Sequence, residues 1–164
     1  MENLEFQRVL LRTAVLAMAA DGVIHEDELK EIDNIAESRN YFTELNYQQE
    51  IKELIEKLNS DYRSIYKEYF EIFENNYLST VEILLVFEVL LKIVNADLDI
   101  IEEEKNFIKF LRRKFSYVPN DIFLARFGSN DLFDVEGDTI SFESKKIDLD
   151  SINLTDYFGD DINK

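Results

Sequence analysis

Asp21 with Glu28, and again Asp97 with Glu104, are pairs of carboxylates held at one spacing inside two related stretches of the chain. Residues 19–32 read AADGVIHEDELKEI and residues 95–108 read NADLDIIEEEKNFI. Ala20, Asp21, Ile24, Glu26, Glu28 and Ile32 therefore fall on Ala96, Asp97, Ile100, Glu102, Glu104 and Ile108, at a constant offset of 76 and without a gap. Oxygen ligands of this kind suit a hard divalent cation such as Ca2+ or Mg2+, and Asp-Gly-x-Ile-x-x-x-Glu corresponds to positions five, six, eight and twelve of an EF-hand loop. Positions one and three would be Ala17 and Ala19 in the first copy, and Ile93 and Asn95 in the second. Alanine supplies no oxygen, so the pattern is not an EF-hand. Two readings of the acids stand. One is a weaker oxygen site built from Asp21, Glu28 and backbone carbonyls, repeated as Asp97 and Glu104 or shared between the copies. The other is local: acids in the first turn of a helix are stabilised by the exposed N–H groups and the helix dipole, by about 0.3–1 kcal/mol each.

The elements that must position these acids follow from the flanking sequence. Each copy comes after a strongly apolar run, residues 9–20 and 81–96. The repeating unit is then an apolar helix, a tight acidic turn and a second amphipathic helix. Gly22 is placed to end the first helix in the left-handed conformation. Asp99, with Glu102 three residues on, has the spacing of a capping box in the second copy. In chain order the apolar periodicity predicts about seven helices. The first runs to about Ala20 on Leu4, Leu11, Val15 and Met18, and the second runs from His25 to about Arg39 on Leu29, Ile32 and Ile35. A third on Ile51, Leu54, Ile55 and Leu58 is broken at Asn59-Ser60-Asp61, and a fourth carries an aromatic stripe from Tyr62 to Tyr77. That stripe reads as a core seam with phenol hydroxyls at the rim rather than as a stacking face for a ligand. A fifth, capped by Ser79 with Glu82, is apolar almost all round and so belongs at the centre. A sixth ends near Phe115 in Arg112, Arg113 and Lys114, the sign the dipole prefers there, and a short seventh follows Pro119.

The chain has 164 residues and is 46% hydrophobic and 13% aromatic, with one proline and four glycines, which suits one all-α domain of long helices. There is no cysteine and one histidine, His25, so a disulfide framework and a structural zinc site are both disfavoured. The acidic start, MENLEFQRVLLR, is unlike a signal peptide. Charged residues interrupt every apolar run, so a cytoplasmic chain with no membrane insertion is expected. A formal charge of −17 disfavours direct contact with nucleic acid or anionic membranes and favours cations or a protein partner with a basic surface. There is no glycine-rich phosphate loop, no cysteine nucleophile and no serine beside a base, so catalysis is not expected.

Composition changes after Gly128. Residues 1–128 read as the helical domain, and residues 129–164 as an acidic extension holding ten acids and three lysines. Residues 139–143 alternate like a strand, and 146–150 can pair with them as a short β-hairpin. Such a hairpin is marginal alone, so it either folds back on the bundle or engages a partner. Phe133, Phe142, Tyr157 and Phe158 are the anchors expected for that docking, with acids at the rim.

The segment Ala20-Asp21-Gly22-Val23-Ile24 with Glu28 and Ile32, after an apolar helix of small residues, resembles the signature of the TerB (tellurite-resistance) family and its TerB-like relatives. Ala96, Asp97, Ile100 and Glu104 are similar to that family's second half, and the resemblance covers about residues 4–115. His25 stands where the family often has a serine or threonine cap, and Leu98 replaces the glycine of the second copy. The resemblance implies a bundle of two pseudo-repeated helical hairpins without catalysis. It also implies acidic turns associated with metal ions, in bacterial stress-response, membrane-associated and phage-defence settings, with Asp21, Glu28, Asp97 and Glu104 as the corresponding ligands. Tellurite redox chemistry does not follow, since the chain has no thiol. The expected function is a binding or scaffold module that docks protein partners. The alternative is an acidic decoy or immunity-type inhibitor occupying a basic nucleic-acid-binding or effector cleft.

Overall fold

The computed structural model describes residues 1–96, 100–128, 131–133 and 140–148. Among these there are six α-helices and no strand: α1 (Asn3–Met18), α2 (Glu26–Ser38), α3 (Tyr47–Asn75), α4 (Thr80–Val94), α5 (Glu102–Lys114) and α6 (Asn120–Phe127), then a single 3-10 turn at Asp131–Phe133. The break expected at Asn59-Ser60-Asp61 is a kink and not a chain reversal. Asp61 leaves helical geometry (φ −154°, ψ 68°) inside one long α3, so six helices form where about seven were expected. Its carboxylate accepts from the Ser64 N–H at 3.4 Å and caps the second half of the helix.

The core is built around α1, which packs on α3, α4 and α5, while α2 packs on α4 and α3 on α5. From Thr13 to Ala20 every residue of this stretch is at most 1% exposed. A helix buried that completely carries its polar atoms with it, and each needs a partner inside the protein. Thr13 Oγ1 lies 2.8 Å from the Val9 carbonyl and 2.6 Å from the Tyr69 hydroxyl. At the end of α1 the Ala20 N–H bonds to the Ala17 carbonyl, one residue short of the α-helical partner. The Leu16 carbonyl that this frees accepts instead from the Tyr66 hydroxyl at 2.7 Å. Tyr66 and Tyr69 of α3 therefore turn their hydroxyls inward to α1, where the sequence suggested a rim. Burial, with Asp21 as the nearest charge acting on Tyr66, pushes both phenols of Tyr66 and Tyr69 well above the ordinary tyrosine range.

The stretches α1–α2 and α4–α5 end at matching positions. α1 stops at Met18 and α4 at Val94, and α2 and α5 span Glu26–Ser38 and Glu102–Lys114, each pair offset by 76. The residues after the first helices match as well: Ala19 has φ −87° and ψ 1°, Asn95 φ −87° and ψ −4°. Gly22 has a φ of +85°, but it closes a turn beyond the helix end rather than ending the helix itself. The central position expected of α4 is shared with α1: Val86, Phe87, Val89, Leu90 and Ile93 of α4 are fully buried, yet Val81 is 68% exposed.

Arg112 has a larger role than charge at a helix end. It is 2% exposed and donates to the carbonyls of Phe115 and Val118 and to Asn120 Oδ1, each at 2.8 Å, with its guanidinium 4.1 Å from the Phe123 ring. One side chain thus satisfies the end of α5, fixes the connection and stacks on α6.

Candidate binding site

The acids singled out by the sequence are held by local hydrogen bonds. Asp21 Oδ1 accepts from the Val23 N–H at 2.9 Å, closing the turn, and Oδ2 lies 3.7 Å from His25 Nε2. Glu28 Oε1 accepts from the His25 N–H at 3.4 Å and Glu104 Oε1 from the Ile101 N–H at 3.2 Å. In both hairpins the glutamate at the third helical position reaches back to the residue before the helix, which is half of a capping box. The second cap is Ile101 with Glu104, and not the Asp99 with Glu102 that spacing suggested. Both glutamates are buried, at 1% and 4% exposure. Among the described residues no group of three or more Asp, Glu, His or Cys side chains is arranged to hold a metal ion. Asp97, Leu98 and Asp99 lie outside the described residues.

Beside the first turn lies an aromatic groove. Tyr66 and Phe70 of α3 face Phe107 and Phe110 of α5 across it, and residues 140–148 run along it as an extended strap without helix or strand. The hairpin expected over 139–150 is thus absent from its described part, because the strap takes its contacts from the bundle. The Phe142 ring sits 5.2 Å from Tyr66, 5.3 Å from Phe107, 6.0 Å from Phe70 and 6.4 Å from Phe110, centroid to centroid. Ile147 is 3% exposed. Lys145 Nζ reaches Glu103 in the first turn of α5 at 3.0 Å, and this contact holds the Glu103 carboxyl below the usual range. At its far end the Asp148 N–H donates to the Gly22 carbonyl at 2.6 Å. The Lys146 carbonyl oxygen lies 2.7 Å from where a Cβ on residue 22 would stand. Gly22 is therefore required twice, for its positive φ and for the close passage of the strap.

Of the four aromatic anchors predicted for docking, Phe142 lies in this groove. Phe133 is 4% exposed in the core against Phe87, Phe123 and Phe127, and Tyr157 and Phe158 lie outside the described residues. The strap and Phe133 both belong to the extension after Gly128, so that extension packs on its own bundle wherever it is described. Spacing gave no signal for Glu103, Lys145 or the aromatic nest as one surface, because they come from three distant segments.

A second concavity, about 530 Å³, opens between α2, α4 and α6 next to the second turn, lined by Glu31, Glu88, Lys92, Asn95, Arg126 and Phe127. Arg126 pairs with Glu88 across it at 3.2 Å. Burial and the neighbouring Glu88 raise the Tyr41 phenol above its ordinary range, so it stays neutral. No helix among the described residues is long and apolar enough to cross a membrane. Comparison of the chain with protein-family models, with curated proteins and with solved structures finds no match.

Proposed function

We propose that the chain is a non-enzymatic binding module, a TerB-like helical domain that docks a protein partner with a basic surface. The observation that carries this reading is the agreement of the two hairpins: the same helix ends, and the same buried glutamate capping the second helix, at one offset of 76. A helix–turn–helix geometry used twice, with the acids serving its own caps, suits a scaffold. Its exposed acids, Glu26, Asp27 and Glu102 in the first turns of α2 and α5, face solvent. Surface charge of this sign speeds encounter with a basic partner and suppresses acidic ones.

The test is affinity capture with the intact chain over a range of ionic strength, alongside a variant carrying Glu26→Lys, Asp27→Lys and Glu102→Lys. A partner retained at low salt, released as salt rises and lost in the variant supports the reading. Retention that ignores both salt and the variant contradicts it. A captured nucleic-acid-binding protein whose activity the chain blocks would favour the decoy alternative.

Cation binding belongs to the same reading and is judged separately. A cation held only by the folded chain raises the melting temperature by mass action. If Asp21 and Glu28 hold one, millimolar Ca2+ or Mg2+ raises Tm, and Asp21→Asn with Glu28→Gln abolishes the rise. No shift with Ca2+, Mg2+, Mn2+ or Zn2+ leaves the acids as caps alone.

A further inference from the structure

The strap makes contacts of three separate kinds over a short stretch. Phe142 fills a nest of four rings from α3 and α5, Lys145 pairs with Glu103, and the backbone around Lys146 and Asp148 latches on Gly22. What it lacks is regular structure. No helix or strand ties residues 140–148 to the bundle, and Ser141, Glu143, Lys145, Lys146 and Asp148 are exposed. Phe142 itself is only partly buried, whereas the Phe107 ring beneath it is 0% exposed. The rings of α3 and α5 also pack directly on one another: Phe70 lies 4.8 Å from Phe110 and Tyr69 stacks on Phe107 at 6.1 Å. The nest is thus lined by side chains of α3 and α5, and the strap lays Phe142 and the buried Ile147 over it.

We infer that this groove is a peptide-docking site which the chain's own residues 140–148 keep closed, and that its partner is an extended segment bearing an aromatic anchor with lysine three or four residues after it. The inference rests on the docking-module reading and names the site and the partner chemistry for it. The occupant is argued from the strap. Phe-Glu-Ser-Lys-Lys-Ile is the sequence seated in the groove, and a competitor must offer the same aromatic ring to the nest and the same ammonium to Glu103. Charge points the same way, since Glu103 meets the strap's Lys145 within a chain of net charge −17. An extended ligand gains from alternate side-chain pockets with little demand on regular structure. A strap on the same chain competes with an external segment through its high effective concentration. An external segment therefore binds weakly until the strap is loosened, and this gives the surface its control.

The test uses the full chain and a labelled synthetic peptide of residues 139–149. Phe142→Ala removes the anchor from the strap and leaves the nest intact, so this variant should bind the peptide at least tenfold more tightly than the wild type. Replacing the peptide's phenylalanine by alanine, or its two lysines by glutamate, should weaken binding at least tenfold. Circular dichroism reports whether the variant keeps its helices. If it does not, Gly22→Ala loosens the strap from its other end by pushing on the Lys146 carbonyl, and should open the groove in the same way. Absence of peptide binding to a folded, loosened variant overturns the inference, as does binding indifferent to the peptide's phenylalanine. Such a failure leaves the docking-module reading untouched if salt-sensitive capture through Glu26, Asp27 and Glu102 persists; loss of that capture defeats the module reading independently.

Discussion

The helix–turn–helix stretches α1–α2 and α4–α5 use one local device in two settings. Their helix ends coincide at the 76-residue offset, and in each a buried glutamate, Glu28 or Glu104, returns to the backbone N–H before the second helix. Their surroundings differ. The first has its inner helix buried on all sides from Thr13 onward, its free Leu16 carbonyl taken by Tyr66, and its turn latched by the strap at Gly22. The second leaves Val81 exposed, borders an open cleft through Lys92, Asn95 and Ala96, and ends in the buried Arg112 that ties down α6. The shared residues therefore go with the same helix ends and the same return of a glutamate to the backbone, while the elements packed around each stretch differ.

The comparison can be broken most severely in the core. Ile32 and Ile108 occupy equivalent positions and are both 0% exposed. Truncating either to alanine should cost about 2–5 kcal/mol, and if the hairpins are equivalent the two losses should be similar. Denaturant unfolding of Ile32→Ala and Ile108→Ala measures this, and a loss under about 1 kcal/mol in only one of them would break the equivalence.

The caps come next. Glu28→Ala and Glu104→Ala should each cost about 1–2 kcal/mol, because each removes a cap and leaves a helix-start N–H without its acceptor. Glu28→Ala should in addition leave the strap in place, since the strap meets the first hairpin at Gly22 and not at the cap. Peptide-resolved hydrogen exchange over residues 140–148 reads that distinction.

These two levels were unequally legible in the sequence. The repeated carboxylates, Gly22, the Ser79–Glu82 cap and the apolar faces all follow from spacing, since a cap or a helical stripe is decided within a few residues. The Asn59-Ser60-Asp61 break was visible as a breaker but not as a kink, because whether a chain reverses or continues depends on what lies underneath. For the same reason the inward hydroxyls of Tyr66 and Tyr69 and the anchoring role of Arg112 were out of reach: each depends on polar groups that folding brings to it from α1 or from the chain after α5. The hairpin expected over 139–150 shows no strand in its described residues, 140–148, because alternation describes any extended segment, whether its neighbour is a strand or a helical surface.

A smaller effect concerns alkali. Tyr66 and Tyr69 sit on the first hairpin with phenols raised by burial, and Tyr41 is raised by burial and Glu88. A raised folded value favours the neutral form, so this stability is complete below about pH 10, the unfolded value, and is lost as pH rises beyond it. Melting temperature should fall above about pH 10, and Tyr66→Phe should flatten that fall. A curve equally steep in the variant would remove Tyr66 from the cause.

The smallest effect lies at the strap's ion pair. Glu103 is lowered first by its hydrogen bond to Lys145, so this contribution is present above about pH 4.5, the ordinary carboxylate range, and is lost as pH falls through the lower folded value. Both side chains are well exposed. Lys145→Ala should therefore cost less than about 0.5 kcal/mol in global stability while accelerating exchange in residues 140–148. An unchanged exchange rate would mean that Phe142 and the Gly22 latch hold the strap unaided.

The most direct test of two equivalent hairpins under a removable strap is native-state hydrogen exchange on the intact chain, following the Leu29 and Ile32 amides in α2, the Lys105 and Ile108 amides in α5, and the Asp148 amide that bonds to Gly22. The expected result is that α2 and α5 open with comparable free energies near that of global unfolding, while Asp148 exchanges through a separate, smaller opening that Phe142→Ala makes easier without touching the helices. The contradicting result is an Asp148 amide that exchanges only with the slowest helical amides, or hairpins that open at widely different free energies.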